Sequence, residues 1–309
     1  MLSRAAERVY WAGRYLERAE NTARIVQQYS QLLLDLPPEV EVGWQELVQI
    51  FGASVQFQGH SDSDEERAIL EFLLANPDST SSLNFNIRMA RDNIRNLRDL
   101  LPQESWECVN ELHQFARRQL KSTAAGEDRF EVLSECIGRC QQINGVLAGT
   151  MSHHSPYYFL TLGQSIERAD MTSRIIDVAA AYLQKNERLV LRYGSTLWTN
   201  VLKSVSGFQM YRQYVQPAVE GTAVIDFLLN DTAFPRAVRA SILAARQTTQ
   251  LLPRGEQLVH ALEKVNRALP SPLPDDLDGK TVSEMMDTLQ QRLAAAHNAV
   301  VDTWFLSAD

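Results

Sequence analysis

The sequence predicts an all-α protein: a bundle of roughly twelve helices, built as two six-helix halves related by a pseudo-two-fold axis. Three observations predict it. Residues 13–25, GRYLERAENTARI, return at residues 163–175 as GQSIERADMTSRI. Gly13/Gly163, Glu17/Glu167, Arg18/Arg168, Ala19/Ala169, Thr22/Thr172, Arg24/Arg174 and Ile25/Ile175 coincide without a gap, and Glu20 faces Asp170 as an acidic match. A second pair, FLLANPDSTSSLNFNIRMAR (72–91) and FLLNDTAFPRAVRASILAAR (227–246), aligns at an offset of 155. Finally, apolar residues recur with the helical period along almost the whole chain, and strand alternation is nearly absent. The halves are residues 1–150 and 151–309, expected to pack as one body.

The elements follow in order. A first long helix runs from Ser3 to Leu36, where Asp35-Leu36-Pro37-Pro38 stops it, because proline lacks the N–H and clashes with the preceding turn. A second begins near Val42 and carries Trp44 and Leu47. The loop GHSDSDEE (59–66) feeds a third, its acids suiting the helix dipole. ANPDSTSS (75–82) breaks that helix and caps a fourth through Leu100. Pro102 with Ser105 opens a fifth, TAAGED (123–128) ends it, and a sixth reaches Ala148. The second half repeats the order. A long helix spans Pro156–Arg188, Trp198 takes the place of Trp44, and the drift of the offset from 150 to 155 is a loop-length change. LPSPLPDDLDG (269–279) connects to a last helix over Thr281–Leu306.

Composition excludes several classes. The net charge of −8 disfavours a broad nucleic-acid or anionic-membrane surface, both of which need a positive field. No apolar run reaches the ~18 residues of a spanning helix. Glu7, Glu17 and Glu20 interrupt the apolar start, so no secretory signal is read and the expected location is cytoplasmic. Of thirty basic residues only five are lysine. Arginine forms planar bidentate pairs with carboxylates, so this bias points to interior ion pairs or an anionic ligand. Cys108, Cys136 and Cys140 make neither a disulfide framework nor a zinc set and read as free thiols.

On a helical wheel, Trp11, Ala12, Leu16, Ala19, Ala23 and Val26 form a core face. Gly13, Glu17, Glu20 and Arg24 form a second, narrow stripe with Asn21 at its edge. Gly163, Glu167, Asp170 and Arg174 repeat it. Two readings stand open. In the first, the long helices cross at their glycines and Glu17 pairs with Arg174 while Glu167 pairs with Arg24, fixing register. In the second, the stripe lines a polar cavity holding a zwitterionic or anionic ligand. Arg91 and Arg246 could project toward the same interior or instead cover a helix end or pair a carboxylate, and Arg18 and Arg168 cap or brace neighbouring helices. His153-His154 reads as an exposed pair and Asp275-Asp276-Leu277-Asp278 as a cap cluster. No phosphate loop, nucleophile elbow or di-iron Glu-x-x-His pattern is present, so no cofactor or metal is expected and no catalytic residue is assigned.

MLSRAAERVYWAGRYLERAENTAR and GTMSHHSPYYFLTLGQSIERADMTSRIID closely resemble the two signature blocks of the bacterial alpha-E family of helical proteins, and the resemblance covers essentially the whole chain. It departs at Gln164, where an arginine often follows the glycine, and at Ser152-His153-His154, where a charged run is more typical. Members tend to occur beside, or fused to, circularly permuted ATP-grasp ligases. The resemblance therefore implies a helper subunit in an ATP-dependent peptide or amide ligation system, docking on the ligase; a homo-oligomer is a separate expectation. In that reading Arg24, Arg174, Arg91 and Arg246 bind a carboxylate, and Glu17, Glu20, Glu167 and Asp170 an amine or the arginines. An enzyme using stripe carboxylates as acid and base, and a purely structural dimerisation scaffold, are the alternatives.

Overall fold

The computed structural model describes residues 3–37, 43–57, 65–126, 128–185, 187–274 and 277–305. Among them are fourteen α-helices, one π-helical turn and no strand. In the first half, α1 (Ser3–Asp35), α2 (Gln45–Ile50), α3 (Ser54–Phe57) and α4 (Glu65–Leu70) lead into the π turn (Glu71–Ala75), followed by α5 (Leu83–Arg95), α6 (Gln103–Ala124) and α7 (Arg129–Thr150). In the second come α8 (Ser155–Lys185), α9 (Glu187–Ser204), α10 (Phe208–Tyr214), α11 (Gly221–Asn230), α12 (Val238–Gln250), α13 (Glu256–Ala268) and α14 (Gly279–Trp304). The loop expected at 59–66, the proline stop at Pro38, the helix start at Val42 and the acids Asp275 and Asp276 lie wholly or partly outside the described residues.

Seven helices in each half replace the six expected. The difference arises where one second helix was expected and two form, α2 and α3 in the first half and α9 and α10 in the second. Gly52 (φ 61°) ends α2 in a left-handed turn, and Ser206 (φ 56°) ends α9 the same way. In the first, Gly52 N–H donates to Gln49 and Ala53 N–H to Val48. In the second, Ser206 donates to Lys203 and Gly207 to Leu202. This is the Schellman closure, which satisfies the last carbonyls of a helix and turns the chain sharply. The fourth helix also stops early, at Arg95 rather than Leu100, where Asn96 and Leu97 N–H groups bond three residues back.

The chain divides into two compact units: residues 1–27, 43–164 and 304–309, and residues 28–42 and 165–303. In the first, α6 packs on α5, α7 and the π turn, over a core that includes Leu16, Leu47, Leu73, Ile87, Leu112 and Leu133. In the second, α12 packs on α11 and α13, over Leu202, Tyr211, Leu228, Ile242, Leu262 and Leu289. Each such buried side chain contributes roughly 1.5–3 kcal/mol of burial free energy.

The internal repeat extends to individual contacts. Phe57 meets Phe72 edge-on at 5.3 Å, and Tyr211 meets Phe227 edge-on at 5.7 Å. Phe72-Leu73-Leu74 and Phe227-Leu228-Leu229 are all buried. The Asn76 side chain accepts from the N–H groups of Asp78 and Ser79, and the Asp231 side chain from those of Ala233 and Phe234. Asn86 donates to the Thr80 carbonyl, and Ser241 to the Pro235 carbonyl. ANPDSTSS thus works as read, with Ser82 capping α5 through the Phe85 N–H at 3.4 Å.

Candidate functional site

The stripe begins with a glycine contact inside the first unit. A Cβ placed on Gly13 would overlap the carbonyl oxygen of Leu160, and one on Gly163 would overlap that of Tyr10. The contact is reciprocal, because Tyr10 and Leu160, like Gly13 and Gly163, stand 150 residues apart. Only residues without a side chain let two helix backbones approach so closely. One turn further along each helix sit Glu17 and Glu167, both with no exposed surface.

Beyond them the expected cross-pairing is not what the arginines do. Arg24 closes on Glu20 at 2.5 Å and Arg174 on Asp170 at 3.0 Å, each guanidinium reaching one turn back along its own helix. The i,i+4 geometry explains the choice: the acid is already within reach, and closing the pair orders few extra torsions. The Arg24 Nε stays buried without a hydrogen-bond partner.

In the first unit the acid is held from other helices as well. Asn144 of α7 donates to Glu20 Oε2 at 3.5 Å, and Gln164 of α8 donates to Asn144 at 2.9 Å. Asn21 is buried at the edge of this cluster. Gln164 is thus tied into the cluster. Cys140, one turn before Asn144, is wholly buried. Burial pushes its thiol well above the ordinary value, and the charges of Glu20, Cys136 and Glu17 add to the effect. Cys136 is pushed up to about 12, mainly by burial. Thiolate is the reactive form. In the folded protein a maleimide or disulfide reagent at pH 8 should therefore modify only the partly exposed Cys108, slowly, and reach Cys136 and Cys140 only on denaturation. Mass spectrometry of the labelled chain reads this out, and rapid native labelling of Cys140 would show an open core.

The second unit surrounds its stripe differently. Ser283 donates to Asp177, as Ser134 accepts from Gln27 one repeat earlier, and this registers α14 against α7 at an offset of 149. Leu289 and Leu293, both buried, then stand where Cys140 and Asn144 stand in the first unit. Asp170 keeps 18 % and Arg174 31 % side-chain exposure, against 2 % and 11 % for Glu20 and Arg24. Sequence reading missed Asn144 for this reason: its helix carries no repeat to mark it.

Arg91 and Arg246 do not turn toward the stripe. Arg91 Nε donates to Asn110 on α6 at 2.9 Å, and the guanidinium lies over the Trp106 ring at 5.2 Å. Arg246 faces Glu263 on α13 at 4.0 Å. Each is used by the neighbouring helix of its hairpin, which approaches closer than any interior partner. His153 and His154 are exposed, as expected, and His153 stacks on Tyr157 at 3.9 Å. Asp278 caps α14 through the Thr281 N–H at 2.7 Å.

Among the described residues no helix is long and apolar enough to cross a membrane. No curated protein and no solved structure matches the chain. A family model described as a predicted alpha-helical domain with a conserved ER motif matches residues 1–305. The chain carries Glu-Arg steps, among them Glu17-Arg18 and Glu167-Arg168, which recur 150 residues apart. With the helical fold, the doubled Glu-Arg step and a match over nearly its full length, this chain belongs to the Alpha-E family.

Proposed function

We infer that the chain serves as a helical partner subunit of an ATP-grasp peptide or amide ligase and that its arginines receive an amino-acid or peptide carboxylate. Membership of the Alpha-E family over residues 1–305 is the observation that supports the partner role, through the ligase association that the resemblance implies. The reciprocal glycine contact supports the internal duplication, since each glycine meets the counterpart of the residue that the other meets. Within the stripe, burial divides the labour. Glu17, Glu167 and Glu20 are sealed from solvent and hold the long helices in register, whereas Arg174 and Asp170 keep exposure and face a ligand's carboxylate and ammonium ends.

The test is a tagged full-length chain expressed at native level in its own host, affinity-purified and analysed by mass spectrometry. Stoichiometric recovery of an ATP-grasp ligase is expected. Replicates in which a well-recovered bait brings down no such ligase overturn the reading.

A further inference from the structure

The two units share one scaffold, and one place departs from it consistently toward positive charge. Helix α6 registers on α13 at an offset of 153, since Val109 and Leu262, and Leu112 and Val265, are fully buried counterparts. At that offset Asn110 stands where Glu263 stands. Glu263 neutralises Arg246 at 4.0 Å and Arg267 at 3.4 Å. Arg91 instead meets the uncharged Asn110, and its acidic neighbour is the half-exposed Asp92 at 3.4 Å. Moreover α6 has 22 residues where α13 has 13, and Arg117, Arg118 and Lys121 lie on the part of α6 that has no counterpart.

These departures meet in one cleft. Arg91, Asn110, His113, Gln114, Arg117 and Arg118 line a cavity of about 300 Å³ with no carboxylate in its wall. Through Arg117 it adjoins a larger cavity of about 560 Å³ that reaches the π turn, walled by the apolar Phe72, Ala75 and Leu120 and by the polar Glu71, Asn84 and Lys121. Interruptions of this kind recur at functional sites. The stretch that aligns with the π turn at an offset of 155, Asp226–Asn230, is regular α-helix.

We propose that the Arg91–Arg117–Arg118 cleft is an oxyanion-binding site, and that it takes the carboxylate or phosphate of a ligand whose remaining part lies in the adjoining, mixed polar and apolar cavity. Three guanidinium groups from two helices offer forked donors to one oxyanion, and Asn110 and Gln114 offer neutral donors beside them. His113 is the local reporter. Burial, Arg91 and Arg117 push its imidazole below the ordinary value, with Arg88 adding to this and Asp92 opposing it. An anion in the cleft cancels that field, so binding raises the His113 pKa. The site stands independently of any ligase association.

Isothermal titration of the full-length chain with inorganic phosphate, with N-acetyl-dialanine and with its C-terminal amide tests the proposal. Binding of phosphate or the free carboxylate in the millimolar range or tighter is expected, and none of the amide. Carboxylate alone or phosphate alone identifies the source. Arg117→Gln, and Asn110→Glu, which recreates the arrangement of the second unit, should each weaken binding about tenfold or more. Arg246→Gln should leave it unchanged. The His113 ring signals, followed by NMR across pH, should titrate at higher pH with the anion present. No binding of either anion, equal binding of the amide, or insensitivity to both Arg117→Gln and Asn110→Glu in folded variants overturns the site.

Discussion

Gly13→Ala and Gly163→Ala should each lower the unfolding temperature by about 4–8 °C, whereas alanine at a glycine facing open space should not lower it. A Cβ at either position would strike a backbone carbonyl on the facing helix, and backbone cannot rotate away as a side chain can. Relief requires the two helices to part at Tyr10–Gly13 and Leu160–Gly163. Overpacking costs ~1–3 kcal/mol where side chains can yield, and a backbone obstacle belongs at or above the top of that range. Alanine returns ~1 kcal/mol of helix propensity, which leaves a net loss of about 2 kcal/mol or more. Gly138→Ala and Gly145→Ala are the controls. They lie in α7, and a Cβ there meets nothing within 4 Å. Those variants should gain up to ~1 kcal/mol, because the propensity term acts alone. The double variant Gly13→Ala/Gly163→Ala should cost less than the sum of the singles, since one separation relieves both clashes. Thermal unfolding followed by circular dichroism measures all of these. A Gly13→Ala protein as stable as the parent would show that the helices do not touch there.

How much of this was legible beforehand follows from where the chain repeats itself. Gly13, Glu17, Glu20 and Arg24 were recognisable because a matching stripe, with Asp170 for Glu20, stands 150 residues later, and two copies on one wheel position carry more information than one. The all-helical fold followed from periodicity in long segments such as Ser3–Asp35. Ser54–Phe57 is a single turn, too short to show a period, and its counterpart α10 is hardly longer. The π turn was invisible because EFLLA is as good an α-helical sequence as FLL in α11. The orientation of Arg91 and Arg246 depended on which neighbour lay nearer, and pattern alone does not rank an interior partner against the next helix of a hairpin. Asn144 and Gln164 matter through what they touch, and no spacing rule leads to them.

The acid–arginine pairs give a second, graded prediction, because the same pair occurs in two environments. Glu20→Ala should cost about 3–5 kcal/mol, since it strands a guanidinium that is 11 % exposed and whose Nε already lacks a partner, and it removes the acceptor of Asn144. Asp170→Ala, with its pair at 18 % and 31 % exposure, should cost about 1 kcal/mol or less, because water replaces the lost partner. Urea unfolding of the two variants measures the difference, and equal losses would mean that solvent reaches both pairs alike. The ranking also separates architecture from ligand binding. A buried ion pair replaced on both sides by apolar residues of similar size is often neutral or stabilising by ~1–4 kcal/mol. If Glu20 and Arg24 serve to fix register, Glu20→Leu/Arg24→Leu should fold with near-parental stability and still co-purify whatever partner the parent binds. If they hold a ligand, that double variant should be stable and yet lose it. Arg174→Gln, a more exposed change in the matching stripe, should lower ligand affinity with little effect on unfolding, and a variant that instead lost stability in proportion would assign Arg174 to the scaffold.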